Sequence, residues 1–287
     1  SVLRLRLRGA GGRGRHAARR AAPLATLPAL VLHTTRLRAR GVLIWGAALG
    51  LYSAALVASF TTFSGSAEQM NQLLEAYPKG MLEAFGITDL ANVENYMNSQ
   101  VFLLAPLALA FFPILAAAGT IAGAEERGTI DVLLGNPIPR WQLVVGSFAS
   151  IALSLLAILA IVGALTQVTA ILMDVDLAPK STAAAVLNMW PLCLLFGAVA
   201  MLCSAVFHRR ALAIAVPAFL LFAMYLLDTL GRVSEDLEDL QPLSAFYYYG
   251  SAIEDGIDWT NFAGLALAAF ALVLLAVLAF RRRDIYT

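Results

Sequence analysis

The sequence predicts an all-α, polytopic membrane protein of six transmembrane helices with the N-terminus and C-terminus cytoplasmic. Three observations lead there. Apolar residues make up 60% of the 287-residue chain and charged residues only 14%, against roughly 45–50% and about 25% in a soluble domain; mean hydropathy is +0.76. Six stretches reach the roughly 20 apolar residues that a helix needs to cross a bilayer core of about 30 Å. The basic residues gather on one side of those stretches and the acidic residues on the other. This composition excludes a disordered chain, which needs low hydrophobicity and high net charge. It excludes a soluble enzyme, since a globule of this length cannot hide so much apolar surface from water. Two cysteines exclude a disulfide scaffold.

Residues 1–40 hold ten Arg and no acidic residue. Residues 1–22 read as a basic disordered tail, with an Arg-rich, acid-poor transit peptide as the alternative. Gly9-Ala-Gly-Gly-Arg-Gly14 matches G-x-G-x-x-G in letters only. A dinucleotide fingerprint needs a preceding strand and a βαβ unit, and low-complexity sequence surrounds this one. From 23 to 40 the pattern changes. Leu24, Leu27, Leu30, Val31 and Leu37 recur at helical spacing and Arg36, Arg38 and Arg40 close the segment. That suits an amphipathic interfacial helix on the inner membrane face, where each basic residue near an anionic leaflet is worth about 1 kcal/mol. A plain juxtamembrane linker is the alternative.

The spans expected are Gly41–Phe63, Gln100–Gly123, Leu143–Met173, Ala183–Phe207, Ala211–Leu230 and Phe262–Phe280. The third is long enough to tilt or project. Only His208, Arg209 and Arg210 separate the fourth from the fifth, so these two form a tight helical hairpin. With the N-terminus inside, the inner segments carry seventeen basic and four acidic residues, and the outer ones three basic and fifteen acidic. Every short loop then obeys the positive-inside rule. Residues 41–287 are thus a six-helix transmembrane domain with outer loops 64–99 and 231–261. A multi-pass protein of a cell inner or plasma membrane is expected.

Soluble and intramembrane chemistry is scarce. His16, His33 and His208 are scattered, and H-E-x-x-H and G-x-S-x-G do not occur, so no metal site and no catalytic site is expected. Cys193 and Cys203 lie about 15 Å apart along one helix and cannot pair. The P-loop template G-x-x-x-x-G-K-[ST] does not occur either, so ATP, if used, is bound by another chain. Asp174, Asp176 and Asp228 sit at outer span ends. A charge at the bilayer centre costs at least about 2.5–3.5 kcal/mol, so coupling-ion sites show themselves, and none does here. Thr166, Gln167 and Thr169 are the polar cluster of the third span. They read either as helix–helix hydrogen bonds or as a candidate substrate path. Prolines 106, 113, 191 and 217 fall inside spans, either as gating kinks or as the Pro that membrane helices tolerate.

The segment between spans two and three is the most informative. Glu125, Glu126 and Asp131 crowd the expected start of a short helix, where the macrodipole favours anions. Ile130, Val132, Leu133 and Leu134 give that helix an apolar side, and Gly135-Asn-Pro137 ends it. Pro139 restarts a helix whose first turn holds Arg140 and Trp141. A short helix with an apolar edge, held by turns on both sides, fits a groove on a cytoplasmic partner. Gly128 allows a special turn or a close backbone approach.

Here the chain resembles the permease subunits of ABC transporters of the type-2 exporter family. The resemblance rests on Glu125 or Glu126, then Arg127-Gly128-Thr129, Leu133-Leu134, Pro137 and Arg140, following the second span. The family often continues with Gly-Lys where this chain has Gly146-Ser147. Leu243-Ser-Ala-Phe-Tyr-Tyr-Tyr249 resembles the family's partly re-entrant segment, and Phe280-Arg-Arg-Arg-Asp-Ile285 its basic-Asp ending. The resemblance implies that residues 123–142 form a coupling loop docked in a cleft of a cytoplasmic ABC ATPase subunit. Glu125, Glu126, Arg127, Gly128, Thr129, Asp131, Leu133, Leu134, Pro137 and Arg140 would form that interface. It further implies two ATPase subunits, a second permease half identical or related to this one, and ATP and Mg bound in the partner. This chain itself would hold no cofactor and bind no nucleic acid. The expected cargo is hydrophobic or amphipathic, because the bundle lacks buried charge. An ion-driven secondary transporter and a non-transporting anchor or sensory subunit are the competing readings.

Overall fold

The computed structural model describes residues 27–63, 92–128 and 139–282. Every regular element among them is helical. Six helical stretches are long and apolar enough to cross a membrane. The first is preceded by α1 (Leu27–Leu37) and formed by α2 (Ala39–Phe63). The second is a run of short pieces. They are α3 (Val93–Met97), a π-helical turn (Asn98–Phe102), α4 (Ala105–Leu109) and α5 (Phe111–Ala118). A further short helix, α6 (Ala122–Glu126), follows. The remaining spans are α7 (Arg140–Leu172), α8 (Pro179–Val206), α9 (Arg210–Gly231) and α11 (Trp259–Arg282). The short α10 (Glu235–Glu238) and a 3₁₀ turn (Gln241–Leu243) lie between the last two.

Helix α8 is the hub. It packs on α11, α5, α7 and α9, and 72% of its apolar stretch is buried, against 22% for α9. Phe196, Met189 and Leu192 on α8 pack in one core with Ile151, Leu155 and Ile158 of α7 and Phe102 of the π-helical turn. Membrane helices gain little from apolar burial against each other, so close approach and hydrogen bonds set the packing. The α2–α7 contact shows this. A Cβ on Gly46 would stand 2.9 Å from Ile161 Cδ1, and one on Gly50 2.5 Å from Leu165 Cδ1. One turn further along the same face, Ser53 Oγ and Thr166 Oγ1 share a 2.7 Å hydrogen bond.

At 33 residues and 1.5 Å per residue, α7 is about 50 Å long. It exceeds the hydrocarbon core, as the sequence predicts. It ends in a Schellman turn. Val175 N donates to Ala170 O (2.9 Å), Asp174 N donates to Ile171 O (3.3 Å), and Asp174 holds the left-handed conformation at φ 53°. The hairpin expected around 208–210 is present, with Phe207, His208 and Arg209 between α8 and α9.

Two expectations need correction. The second span runs Val93–Ala118 rather than Gln100–Gly123. Asn92, Glu94, Asn95 and Asn98 made its start read as loop, yet Asn92 Oδ1 caps the helix by accepting from Glu94 N (2.8 Å), and Met97 is fully buried. Asp228 is a membrane-end carboxylate as expected, but it is buried at 4% exposure and pairs with Arg232 at 2.9 Å.

The discontinuity of the second span has local causes, and distant residues repair it. A proline excludes the hydrogen bond to the carbonyl four residues back. Pro106 therefore frees Phe102 O, and that oxygen accepts from the Tyr249 phenol at 3.0 Å. Tyr249 lies in the buried turn segment that follows the 3₁₀ helix, and its own carbonyl accepts from Asn188 Nδ2 of α8 (2.6 Å). Burial holds the Tyr249 phenol far above its usual pKa, so it remains a donor. The second break, at 119–121, exposes the first amides of α6. Ser204 Oγ of α8 accepts from Ile121 N (3.3 Å) and Ala122 N (3.0 Å) and donates to Ala118 O (3.3 Å). Pro191 and Pro217 sit inside unbroken helices.

Candidate functional site

The end of the bundle that carries Arg127, Arg140, Arg209 and Arg281 is the basic end, and there α6 buries Ala122, Gly123 and Ala124 and exposes only its last residue, Glu126, with Arg127 and Gly128 after it. Glu125 and Glu126 are the last two residues of α6, not the start of a helix as the sequence reading had them. That corrects the dipole argument, because a carboxylate at its own helix C-terminus is unfavourable. The compensation comes from another helix. Glu126 Oε1 accepts from Arg210 N, the first amide of α9, at 2.7 Å. The carboxylate thus caps the positive end of α9 across the hairpin. Beside it, Glu125 Oε1 lies 3.9 Å from His208 Nε2. Helix α6 is therefore cut from α5 by the Gly119–Ile121 break and latched to the α8–α9 hairpin.

Gly128 follows α6 at φ 63° and donates its amide to Glu125 O (2.9 Å). This is the left-handed C′ position that glycine fills without steric cost. The special turn that the sequence allowed is real, and a Cβ there would meet nothing within 4 Å. Arg127 is exposed and donates Nη2 to Gly119 O (3.3 Å). Arg140 faces the other way. Its Nη1 donates to Phe280 O (3.4 Å) and its guanidinium carbon sits 5.6 Å from the Phe280 ring centroid, at the C-terminal end of α11, where a cation is favoured. Thr129, Asp131, Leu133, Leu134 and Pro137 lie outside the described residues, as does the short amphipathic helix expected there.

Helix α1 docks along the start of α7. A Cβ on Gly146 would meet Leu30 Cδ2 at 2.9 Å and Leu27 Cδ1 at 3.2 Å. Arg38, next in chain after α1, donates Nη1 to Ser147 O (3.3 Å) and Ser150 Oγ (3.0 Å). Burial lowers its pKa to about 10, so the guanidinium keeps its charge under physiological conditions. Leu37, grouped with the apolar stripe in the sequence, is 71% exposed.

The polar cluster of the third span has hydrogen bonds within the bundle. Thr166 Oγ1 is tied to Ser53 Oγ and to Val162 O, and Thr169 Oγ1 donates to Leu165 O (2.9 Å). Gln167 donates Nε2 to Leu177 O (3.1 Å) and accepts from Thr182 Oγ1 (3.1 Å). Of the three, Gln167 also lines a groove of about 280 Å³ between α7 and α8. Sequence reasoning missed Ser204 and Asn188, and it named Tyr249 only as the end of the Leu243–Tyr249 segment, without its bond to Phe102 O. A polar residue in an otherwise apolar run was the only signal available for Ser204 and Asn188.

Six membrane-length helices, with α8 the most buried of them, define a multi-pass membrane protein. The model of the ABC-2 family transporter proteins matches residues 34–285. The chain belongs to that family and is a membrane permease component of an ABC transporter, a class that associates with ABC ATPase subunits. No curated protein sequence matches the chain.

Proposed function

We propose that this permease couples ATP hydrolysis in a separate cytoplasmic subunit to export of a hydrophobic or amphipathic cargo, and that α6, Gly128 and the following residues to Arg140 form the coupling contact. The basic end faces the cytoplasm in this reading, as the positive-inside rule requires, and the membrane is a cell inner or plasma membrane. Two such chains, identical or related, pair with two ATPase subunits that hold ATP and Mg. One observation carries the reading. Helix α6 is separated from α5 by a break, yet it is tied to the start of α9 through Glu126 and Arg210 N. A push on α6 from outside is therefore passed to the α8–α9 hairpin rather than absorbed in a continuous helix. Gln167 is the member of the polar cluster set beside open volume, and so the one best situated to touch cargo.

Gly128→Trp tests this cleanly. A Cβ there meets nothing within 4 Å, and the backbone cost is that of a left-handed residue with a side chain, about 1–2 kcal/mol. Transport in vesicles with the native ATPase is expected to collapse while membrane insertion persists. Unchanged transport would remove this loop from the mechanism. Charge reversal at Arg140 is less informative, because it also breaks the contact to Phe280. Mild-detergent purification with mass spectrometry should retain an ATPase subunit, and a chain that emerges alone under conditions preserving a known ABC complex would end the ATP-coupled reading.

A further inference from the structure

A groove of about 600 Å³ opens at the basic end between α1, the break after α5 and the first turns of α7. We propose that it holds the phosphate headgroup of an anionic phospholipid drawn from the leaflet at that end. Three cationic or protonatable groups line it, His33, Arg38 and Arg127, and no acidic residue does. None of the three forms an ion pair among the described residues. Its walls are otherwise mainly apolar, with Leu30, Leu37 and Leu143. A phosphate needs the guanidinium donors, and acyl chains need the leucines. A free phosphate would leave most of this volume and its apolar wall unused. The level is right as well, because Arg38 immediately precedes the first membrane-spanning helix at Ala39, which is where headgroups lie. The chain's own first 26 residues are a poor occupant, since they carry seven Arg and no acid. A bound phosphate would bridge Arg38 at the foot of α2 to Arg127 at the end of α6, across the Gly119–Ile121 break. The site stands on the membrane-spanning reading alone and does not depend on ATP coupling.

The test uses the full chain purified in detergent, titrated with dioleoyl phosphatidylglycerol, dioleoyl phosphatidylcholine or glycerol 3-phosphate, and read by thermal unfolding and by native mass spectrometry. Phosphatidylglycerol should raise the unfolding midpoint and remain bound at one molecule per chain, and the other two should not. Arg127→Gln should weaken phosphatidylglycerol about fivefold, the equivalent of one basic group at an anionic surface. Thr120→Leu, which fills the groove and removes no charge, should also lose the lipid. An equal shift with phosphatidylcholine or with glycerol 3-phosphate overturns the proposal. So does unchanged phosphatidylglycerol affinity in both variants. Loss of a bound ATPase subunit in Arg127→Gln with lipid binding intact would make the groove a protein-docking surface instead.

Discussion

The α2–α7 seam and the broken second span solve the same packing problem by opposite means. The seam uses two unbroken helices, with Gly46 and Gly50 on α2 letting Ile161 and Leu165 of α7 approach the backbone. Its cross-helix hydrogen bond, Ser53 to Thr166, joins side chains, and Thr166 Oγ1 also lies within reach of Val162 O in its own helix. The second span surrenders backbone hydrogen bonds at Pro106 and at 119–121, then recovers them from single side chains, the Tyr249 phenol and the Ser204 hydroxyl. Close packing spreads its energy over many atoms and resists displacement. Point hydrogen bonds at a helix break concentrate it in one or two groups. The difference teaches where single substitutions act locally and where they act on the whole contact. In the coupling proposed above, the seam is the fixed frame, and α6 with the turn of the hairpin it caps at Arg210 is the part displaced.

The comparison can be broken in four places. The largest effect is expected at Gly50→Val, where the new side chain runs into Leu165 Cδ1 and Cβ. Overpacking of this kind costs about 3 kcal/mol, and thermal unfolding in detergent should show a large fall in midpoint. A small change would mean that the seam is looser than the fixed frame requires. Ser204→Ala is next, at about 2 kcal/mol, because it leaves buried amides without an acceptor. Hydrogen exchange at Ile121 and Ala122 should accelerate selectively, and protection equal to wild type would show that the hydroxyl does not hold the break. Tyr249→Phe strands Phe102 O and is expected to cost about 1 kcal/mol, with local exchange rising around 102–106. Ser53→Ala should be smallest, about 0.6 kcal/mol on the scale of interhelical membrane hydrogen bonds. If Ser53→Ala proved worse than Ser204→Ala, the assignment of frame and mover would have to be exchanged.

Much of the architecture was legible in the amino-acid order. Five of the six spans came within a few residues of their observed bounds, because a hydrocarbon solvent demands long apolar helices whatever their neighbours. The second was misplaced at its start, since Asn92 and Glu94 look like loop residues until the cap is seen. The candidate site was legible in part. Gly128 was singled out for a special turn and has one. Glu125 and Glu126 were assigned to the beginning of a helix and occupy an end, because the amide that Glu126 caps belongs to Arg210, 84 residues later.

The sequence by itself determined the number of spans and the separation of basic from acidic ends, and it placed four prolines inside spans without saying which of them, as Pro106 does, would free a carbonyl that a distant side chain must answer. Each follows from local chemistry, either transfer of side chains into lipid or a missing backbone amide. Only the tertiary structure decided what answers the backbone groups left free. Ser204 lies 83 residues from Ile121, and Tyr249 lies 147 from Phe102. An unpaired backbone group in a membrane must find a partner, but nothing local names that partner. It is chosen by which helix packs alongside.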